Sequence, residues 1–168
     1  EGDNFSAGAN LGMLFMLAGN REFEEIGLSI AAFQNTMMRA RFSSIPVVVA
    51  TSGLTLGGGC EISMHADLVR AHTETYMGLV EAGVGIIPSG GGTKEMALRT
   101  SDMYRKGDPE LNVLMENFMS IATAKVAMSS KEAVSMNLLR NTDKHTLSRA
   151  RLLSEAKKDV INLYDSGY

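Results

Sequence analysis

The stretch of residues 47–93 decides the fold, and it reads VVVATSGLTLGGGCEISMHADLVRAHTETYMGLVEAGVGIIPSGGGT. Its β-branched apolar start, residues 47–50, predicts a strand that is covered on both faces. A glycine run at 57–59 follows, and residues 61–66 then predict a helix. Glu81 comes twenty residues after Glu61, and a second glycine run at 90–92 closes the stretch. Two acids, each beside a glycine-rich turn, indicate a site where backbone amides hold an anion and carboxylates move protons.

Length, charge and cysteine usage narrow the class of protein. The chain has 168 residues, of which 45% are hydrophobic, so it can form one domain with a real core. A net charge of −3 gives no sign of a nucleic-acid partner. Cys60 is the only cysteine, which excludes an intrachain disulfide and agrees with a cytoplasmic location. The apolar run at 11–18 is too short to span a bilayer, so we expect no transmembrane segment.

Helices precede and interrupt the strands of the first part of the chain. Residues 11–17 predict a short apolar helix, and a second helix is expected from Asn20. Apolar residues of the second helix recur at spacings of three and four, which predicts one buried scaffold stripe: Phe23, Ile26, Ile30, Phe33 and Met37. Two more short strands are expected at 67–71 and 75–77, followed by a loop or strand at 79–87.

The C-terminal part predicts helices only. A helix over 94–99 leads into a polar loop over 100–110, which is the best candidate for a mobile segment. Further helices are expected over 111–122, after Ser129, and over 147–164. Alternating strands and helices, followed by helices alone, predict an α/β core over residues 1–99 and a helical region over residues 100–168.

The glycine runs do not match the common nucleotide-binding patterns. The Walker pattern is absent, because Lys94 follows Thr93 rather than a glycine. The dinucleotide pattern also fails, because Gly83 and Gly85 are followed three residues later by Pro88. The chain has no G-x-S-x-G nucleophile elbow either. These absences argue against an NTPase, an NAD-binding domain and an α/β hydrolase.

What remains is a strand, a glycine run and a helix whose first amides can hold an anion. Glu61 falls in the first turn of that helix, where it could also serve only to stabilise the helix dipole. Glu81 falls among apolar residues, where desolvation would raise its pKa as a general acid or base requires. The alternative for Glu81 is an edge position that points to solvent.

Neither a thiol nucleophile nor a metal site is indicated. Cys60 is interpreted as a small buried thiol, because no histidine with a suitable context accompanies it. His65 is expected on the same helix face as Glu61, four residues later. A metal site would need a third ligand, and the H-E-x-x-H pattern is absent, so we predict no metal.

Three segments, in order, resemble the enoyl-CoA hydratase/isomerase (crotonase) superfamily. FSAGANL at 5–11 is similar to the family's F-x-A-G-A-D-[LI]. LGGGCE at 56–61 resembles L-G-G-G-x-E, and EAGVGIIPSGGGT at 81–93 resembles E-x-x-x-G-x-x-P-x-x-G-G-T. The resemblance covers about the first 100 residues well, and it is greatest to the hydratase part at the C-terminus of bacterial 3-hydroxyacyl-CoA dehydrogenases. It implies a crotonase-like ββα superhelix.

The resemblance implies a hydratase of fatty-acid β-oxidation that adds water to a trans-2-enoyl-CoA. The amides of Ala7 and Gly58 would form an oxyanion hole for the thioester carbonyl. Glu61 would orient and deprotonate the water, and Glu81 would deliver the proton to C2. Further contacts to the substrate or its CoA part would come from Ala9, Asn10, Gly57 and Ser89. The CoA thioester is then a substrate, and NAD would be needed only if a dehydrogenase domain were fused upstream.

The chain departs from the family pattern at three places. The family's opening strands are missing before Glu1, which predicts a partial crotonase-like domain over residues 1–168. Asn10 replaces the usual aspartate, and Ser89 replaces a common glycine. A Δ3,Δ2-enoyl-CoA isomerase that uses Glu81 alone, and a non-catalytic fragment that binds acyl-CoA or assists assembly, are the alternatives. The resemblance also implies a homo-oligomer based on trimers, or a fused dehydrogenase domain.

Overall fold

The chain folds into a small parallel sheet with α-helices around it, over the residues 2–168 that this computed structural model describes. The strands are β1 (Val48–Leu56), β2 (Leu68–Gly78) and β3 (Lys144–Thr146). The helices are α1 (Leu11–Gly19), α2 (Phe23–Arg41), α3 (Gly58–His65), α4 (Gly92–Met103), α5 (Glu110–Ala122), α6 (Ser130–Ser135) and α7 (Leu152–Asp165). Short 3-10 helices span Glu81–Val84 and Arg149–Arg151.

The sheet has the spatial order β1-β2-β3, and both pairs of strands are parallel. Parallel neighbours need a crossover connection, and α3 supplies it between β1 and β2. The N-terminal segment joins the other edge of β1 through a parallel bridge between Ser6 and Thr55. In this bridge, the amide of Ser6 donates to the carbonyl of Leu54 and the amide of Leu56 donates to the carbonyl of Ser6, both at 2.9 Å. The pairing brings residues 6–8 next to the turn that leaves β1.

The core lies between the sheet and the helices that cover it. Its buried members are Cys60 and Met64 of α3, Val69, Ala71 and Met77 of β2, Leu79, Met96 of α4, and Ala127, Ala133, Met136, Leu138 and Leu139. Removing such apolar side chains from water is the main stabilising contribution to folding. Two consecutive turns of α3 contribute to this cluster, so the helix is anchored in the core from its first turn onward.

Both long strands extend further than the sequence predicted. β1 continues through Gly53, where the register of its pairing with β2 shifts. Of the turn predicted at 53–59, only Gly57 lies outside a strand or helix. Gly53 has a φ of +58°, and a Cβ there would lie 2.5 Å from the carbonyl oxygen of Asp3. The two predicted strands at 67–71 and 75–77 are one strand, β2. The polar residues between them bond to the C-terminal part, since Thr73 Oγ1 donates to the carbonyl of Thr146.

The helical predictions hold in outline and fail at several boundaries. Asn20 ends α1 instead of starting α2, because Arg21 adopts a left-handed φ of +61° between the two helices. α4 runs on to Met103 and so takes up the start of the loop predicted at 100–110. α7 begins at Leu152 rather than at residue 147, and β3 adds a strand to the region predicted as purely helical.

Apolar residues on two helices are much more exposed than their periodicity predicted. In α2 only Met37 of the predicted stripe is buried, and the Phe23 side chain is 64% exposed. The apolar side chains of α5 are also exposed, namely Leu111, Leu114, Met115, Phe118 and Met119. Asn117 of that helix is instead buried, and its side-chain amide donates to Thr100 Oγ1 at 2.7 Å.

Candidate active site

Glu61 lies in the first turn of α3, and its carboxylate is held by the glycine turn, which we define as residues 90–92. The side chain is buried, and Oε1 accepts a 2.8 Å hydrogen bond from the amide of Gly92. Because Gly92 is the first residue of α4, the carboxylate lies at the positive end of that helix. Burial raises the pKa of Glu61, and hydrogen bonds from the amides of the glycine turn oppose this shift. The turn therefore favours the ionised form in a site that otherwise disfavours charge.

The glycine turn can approach this carboxylate only because it carries no side chains. A Cβ on Gly90 would lie 2.5 Å from Glu61 Oε2, and a Cβ on Gly92 would lie 3.1 Å from Oε1. The sequence predicted this run as a turn before a helix. Its contact with Glu61, thirty-one residues earlier in the chain, was not predicted, since no local pattern links the two segments.

Glu81 is the first residue of the 3-10 helix that follows β2, and it is buried, with 9% of its surface exposed. Among the described residues, its Oε2 has no hydrogen-bond partner. Burial, followed by the charge of Glu61, raises the pKa of Glu81 to about 7, against opposing hydrogen bonds from backbone amides. A carboxyl with a pKa near the working pH can both give and take a proton, as general acid–base catalysis requires.

The apolar residues that flank Glu81 in the sequence are mostly not buried. Leu79 is buried, but Val84, Ile86 and Ile87 are 42%, 39% and 70% exposed. The carboxylate instead lies against the glycine run after β1, where a Cβ on Gly57 would be 3.3 Å from Glu81 Oε1. Gly57 itself has a φ of +55°, a conformation that favours glycine.

The amides of Ala7 and Gly58 lie on two segments that pack against each other. The Ser6–Thr55 bridge aligns residues 6–8 with the end of β1, and a Cβ on Gly57 would lie 3.7 Å from the Cα of Gly8. Neither amide donates a hydrogen bond within the described part of the chain. Gly58 opens α3, so its amide is one of the unpaired donors of a helix N-terminus. Two such donors can bind a carbonyl oxygen that gains negative charge.

The remaining residues predicted to contact CoA lie at the edges of this arrangement. Ala9 and Asn10 are exposed and lead from the Ala7 amide into α1. Asn10 has a structural role, because its side chain caps α1 by accepting from the amide of Met13 at 3.1 Å. Ser89 is half-buried before the glycine turn, and its carbonyl accepts from Gln34 Nε2 at 2.6 Å. The amide of Gly57 is already bonded to the carbonyl of Gly78.

Phe33 is a site residue that the sequence did not single out. Its ring comes from α2, and its Cζ lies 3.1 Å from the position of a Cβ on Gly58. The same ring lies against Gly90, beside Glu61 Oε2. In the sequence Phe33 is one member of a regular apolar stripe, and nothing distinguishes it from the scaffold residues next to it. The ring therefore packs against both the first residue of α3 and the glycine turn.

The other candidate groups have ordinary surroundings. Cys60 is a buried free thiol, as predicted, and burial raises its pKa well above the usual range. His65 is buried on α3, and its Nδ1 lies 2.7 Å from the carbonyl oxygen of Glu61. Across residues 2–168, histidine, cysteine and carboxylate side chains do not gather in threes in a way that could bind a metal ion. The helices of that same range are each too short or too polar to cross a membrane.

Sequence comparison relates the chain to enzymes of acyl-CoA metabolism. The family described as enoyl-CoA hydratase/isomerase matches residues 1–101. The "Probable 3-hydroxyacyl-CoA dehydrogenase" of Bacillus subtilis (strain 168) is 44% identical over 168 residues, which are 100% of this chain and 21% of that protein. A relative in Rickettsia felis (strain ATCC VR-1525 / URRWXCal2), whose name describes a trifunctional enzyme of a fatty acid oxidation complex, is 34% identical over 95% of this chain and 22% of its own length.

Structural comparison finds solved enoyl-CoA hydratases with a similar fold. An enoyl-CoA hydratase from Polaromonas sp. JS666 superposes with a TM-score of 0.73 at 24% identity, over 97% of this chain and 56% of that chain. The predicted crotonase-like fold is therefore confirmed. The chain spans about a fifth of the length of the curated relatives that it matches. Because the family match covers more than half of the sequence, this chain belongs to the enoyl-CoA hydratase/isomerase family.

Proposed function

We propose that this chain adds water across the C2=C3 double bond of a trans-2-enoyl-CoA. The observation that carries the proposal is the pair of buried carboxylates, Glu61 and Glu81, beside unpaired amides. Their chemistry matches a reaction that needs one proton taken from water and one delivered to carbon. The family of the chain and the names of its relatives support a role in fatty acid oxidation.

The thioester carbonyl would bind to the amides of Ala7 and Gly58. Attack at C3 moves electrons toward this oxygen and forms an enolate, and two fixed donors stabilise its charge more than they stabilise the neutral carbonyl. Losing one such donor costs about 3 to 4 kcal/mol in comparable oxyanion sites. Both donors are main-chain groups, so side-chain substitution elsewhere leaves them in place.

The two carboxylates would divide the proton transfers. Glu61 accepts a hydrogen bond from Gly92, which favours its ionised form, so it suits the group that orients and deprotonates water. Glu81, with a pKa of about 7, is half protonated near neutral pH and suits delivery of the proton to C2. Water supplies the hydroxyl at C3 and gives a proton to Glu61. Glu81 gives a proton to C2. The addition balances when the proton on Glu61 passes to Glu81 and restores both carboxyl groups to their starting states.

Substitution of each carboxylate tests the proposal. In the protein as it is encoded, with any flanking sequence, Glu61→Gln and Glu81→Gln should each lower crotonyl-CoA hydration on the order of 100-fold or more. Loss of the absorbance of the conjugated enoyl thioester measures the rate, and circular dichroism checks the fold. Near-wild-type rates in both folded variants would exclude this mechanism.

An isomerase is the second candidate because a single carboxyl with a raised pKa, such as Glu81, can shuttle a proton between C4 and C2. A 3-enoyl-CoA distinguishes the two reactions, since an isomerase converts it to the conjugated 2-enoyl thioester. If Glu61→Gln keeps full isomerisation and the wild type hydrates poorly, isomerisation is the main activity.

The whole protein's role is part of the proposal. We propose a cytoplasmic protein in which this chain works beside a dehydrogenase domain, as the names of its relatives suggest, with NAD needed by that domain alone. A homo-oligomer would give the exposed apolar face of α5 a partner. A chain that only binds acyl-CoA would bind a non-hydrolysable CoA thioester in calorimetry and show neither hydratase nor isomerase activity. A chain that only assists assembly would show neither activity and no such binding.

A further inference from the structure

Four side chains from three helices form a connected group beside the glycine turn. They are Arg41 at the end of α2, His65 at the end of α3, and Lys94 and Glu95 in the first turn of α4, and we call them the His65 network. Arg41 Nη1 lies 2.8 Å from Glu95 Oε2, and Lys94 Nζ lies 3.0 Å from Glu95 Oε1. Lys94 Nζ also lies 3.0 Å from His65 Nε2.

The two shortest contacts of His65 match a neutral ring that carries its hydrogen on Nδ1. A carbonyl oxygen only accepts, so Nδ1 carries the hydrogen that bonds to the Glu61 carbonyl at 2.7 Å. An ammonium only donates, so Nε2 turns its lone pair toward Lys94 at 3.0 Å, while Glu95 Oε1 lies farther from Nε2, at 3.5 Å. Burial lowers the pKa of His65, the Glu61 carbonyl and Glu95 raise it, and Lys94 and Arg41 lower it. Burial and the two cations thus favour the neutral ring, and the Glu61 carbonyl and Glu95 oppose them.

One ring holds both anchors of the Glu61 carboxylate. Nδ1 bonds to the main chain of Glu61 itself. The neighbouring Cε1–Nε2 edge of the ring lies against Gly91, where a Cβ would be 2.8 Å from Cε1 and 2.9 Å from Nε2. The next residue, Gly92, donates the amide bond that Glu61 Oε1 accepts. A displacement of the His65 ring therefore moves the carboxylate and its amide donor relative to each other.

The rest of the network keeps this ring in place. Glu95 is 1% exposed, and removing a partner of a buried charge is costly because the other charge stays unsolvated. Arg41 and Lys94 both pair with it, so the end of α2 and the start of α4 are tied to one carboxylate. Lys94 carries the connection on to His65.

We propose that the His65 network positions Glu61 for proton transfer, which makes His65 and Glu95 positioning residues outside the contact surface of the substrate. The proposal rests on the hydratase function proposed above. Misplacing a reacting group by about 1 Å can cost on the order of 100-fold in rate. Because the network touches neither the Ala7 nor the Gly58 amide, its loss should lower kcat and leave KM unchanged.

Three variants of the protein as encoded test this role. His65→Met fills the space without either hydrogen bond, and Glu95→Gln keeps the shape of the side chain without its charge. His65→Asn keeps a donor near the position of Nδ1. We expect kcat for crotonyl-CoA to fall about tenfold or more in His65→Met and Glu95→Gln, with KM within about twofold. His65→Asn should recover part of kcat.

The matched control is Thr100→Val, which removes a buried hydroxyl from α4. This hydroxyl has no hydrogen bond to Glu61, to the glycine turn or to the His65 network. Thr100 Oγ1 donates to the Met96 carbonyl at 2.7 Å and accepts from Asn117. This variant should lose stability while it keeps kcat. The proposal would be overturned if Thr100→Val and His65→Met lost the same amount of stability and also lost kcat equally. If His65→Met does not fold, the same comparison is made with His65→Asn and Glu95→Gln.

Hydrogen exchange gives a readout that does not depend on catalysis. Amide exchange of a peptide that covers residues 90–93, followed by mass spectrometry, should become about tenfold faster in His65→Met and stay unchanged in Thr100→Val. If the wild type hydrates no enoyl-CoA, the proposed function fails, and exchange alone decides whether the network holds the glycine turn. Unchanged exchange in His65→Met would refute the network's role in either case.

Discussion

Replacing Glu81 by glutamine should stabilise the folded protein at alkaline pH while it removes the proposed activity. Burial raises the pKa of Glu81 from 4.5 to about 7. The folded state therefore binds this proton more tightly than the unfolded chain does. The resulting stability is fully present below the unfolded pKa and is lost as the pH rises through about 7. At about 1.4 kcal/mol for each pH unit, the loss amounts to roughly 3 kcal/mol.

Urea denaturation at about pH 5 and about pH 8.5 measures this effect. At the higher pH, Glu81→Gln should unfold with a free energy about 3 kcal/mol larger than the wild type, and at the lower pH the two should agree within about 1 kcal/mol. Glu25→Gln, which changes an exposed carboxylate of α2, is the matched control and should show no such difference. The reasoning is refuted if Glu81→Gln is no more stable than the wild type at the higher pH, because the carboxylate would then be solvated.

Two further substitutions test the packing around the site. Phe33→Ala should raise kcat/KM for long-chain enoyl-CoA relative to crotonyl-CoA by about tenfold, because its ring lies against Gly58, next to which the proposed function places the start of the acyl chain. An equal change at every chain length would contradict this. Gly59→Ala should destabilise the protein by about 1 to 3 kcal/mol, because the new Cβ would overlap the Ser6 side chain. Gly27→Ala is the control, because a Cβ at this position of α2 meets open space. It should stabilise the folded protein by about 0.5 to 1 kcal/mol. Equal melting temperatures of the two variants would contradict the steric argument.

Local patterns predicted the elements that depend on neighbouring residues. The β-branched run before the first glycines predicted the start of β1, and the helix after them placed Glu61 in the first turn of α3. The single cysteine was correctly expected to be a buried thiol. The family motifs led to the correct fold, since glycines at fixed spacing leave a signature in the sequence itself.

Periodicity could not predict which apolar faces find a partner. The stripe of α2 and the apolar face of α5 have helical spacing, yet Phe23 and Phe118 are mostly exposed. Spacing shows that a face is apolar, and burial depends on what another segment packs against it. The roles assigned to Ala7, Gly58, Glu61 and Glu81 stay predictions until the substitutions are measured.

The sequence by itself determined the start of β1, the existence of most helices, the family and the two candidate acids, because each of these depends on short local patterns. Only the tertiary structure decided what surrounds those acids. The glycine turn binds Glu61, and Glu81 lies against Gly57. His65 and Phe33 reach the site from the end of α3 and from α2. These contacts join residues that are distant in the chain, so their electrostatic and steric effects exist only once the helices have packed.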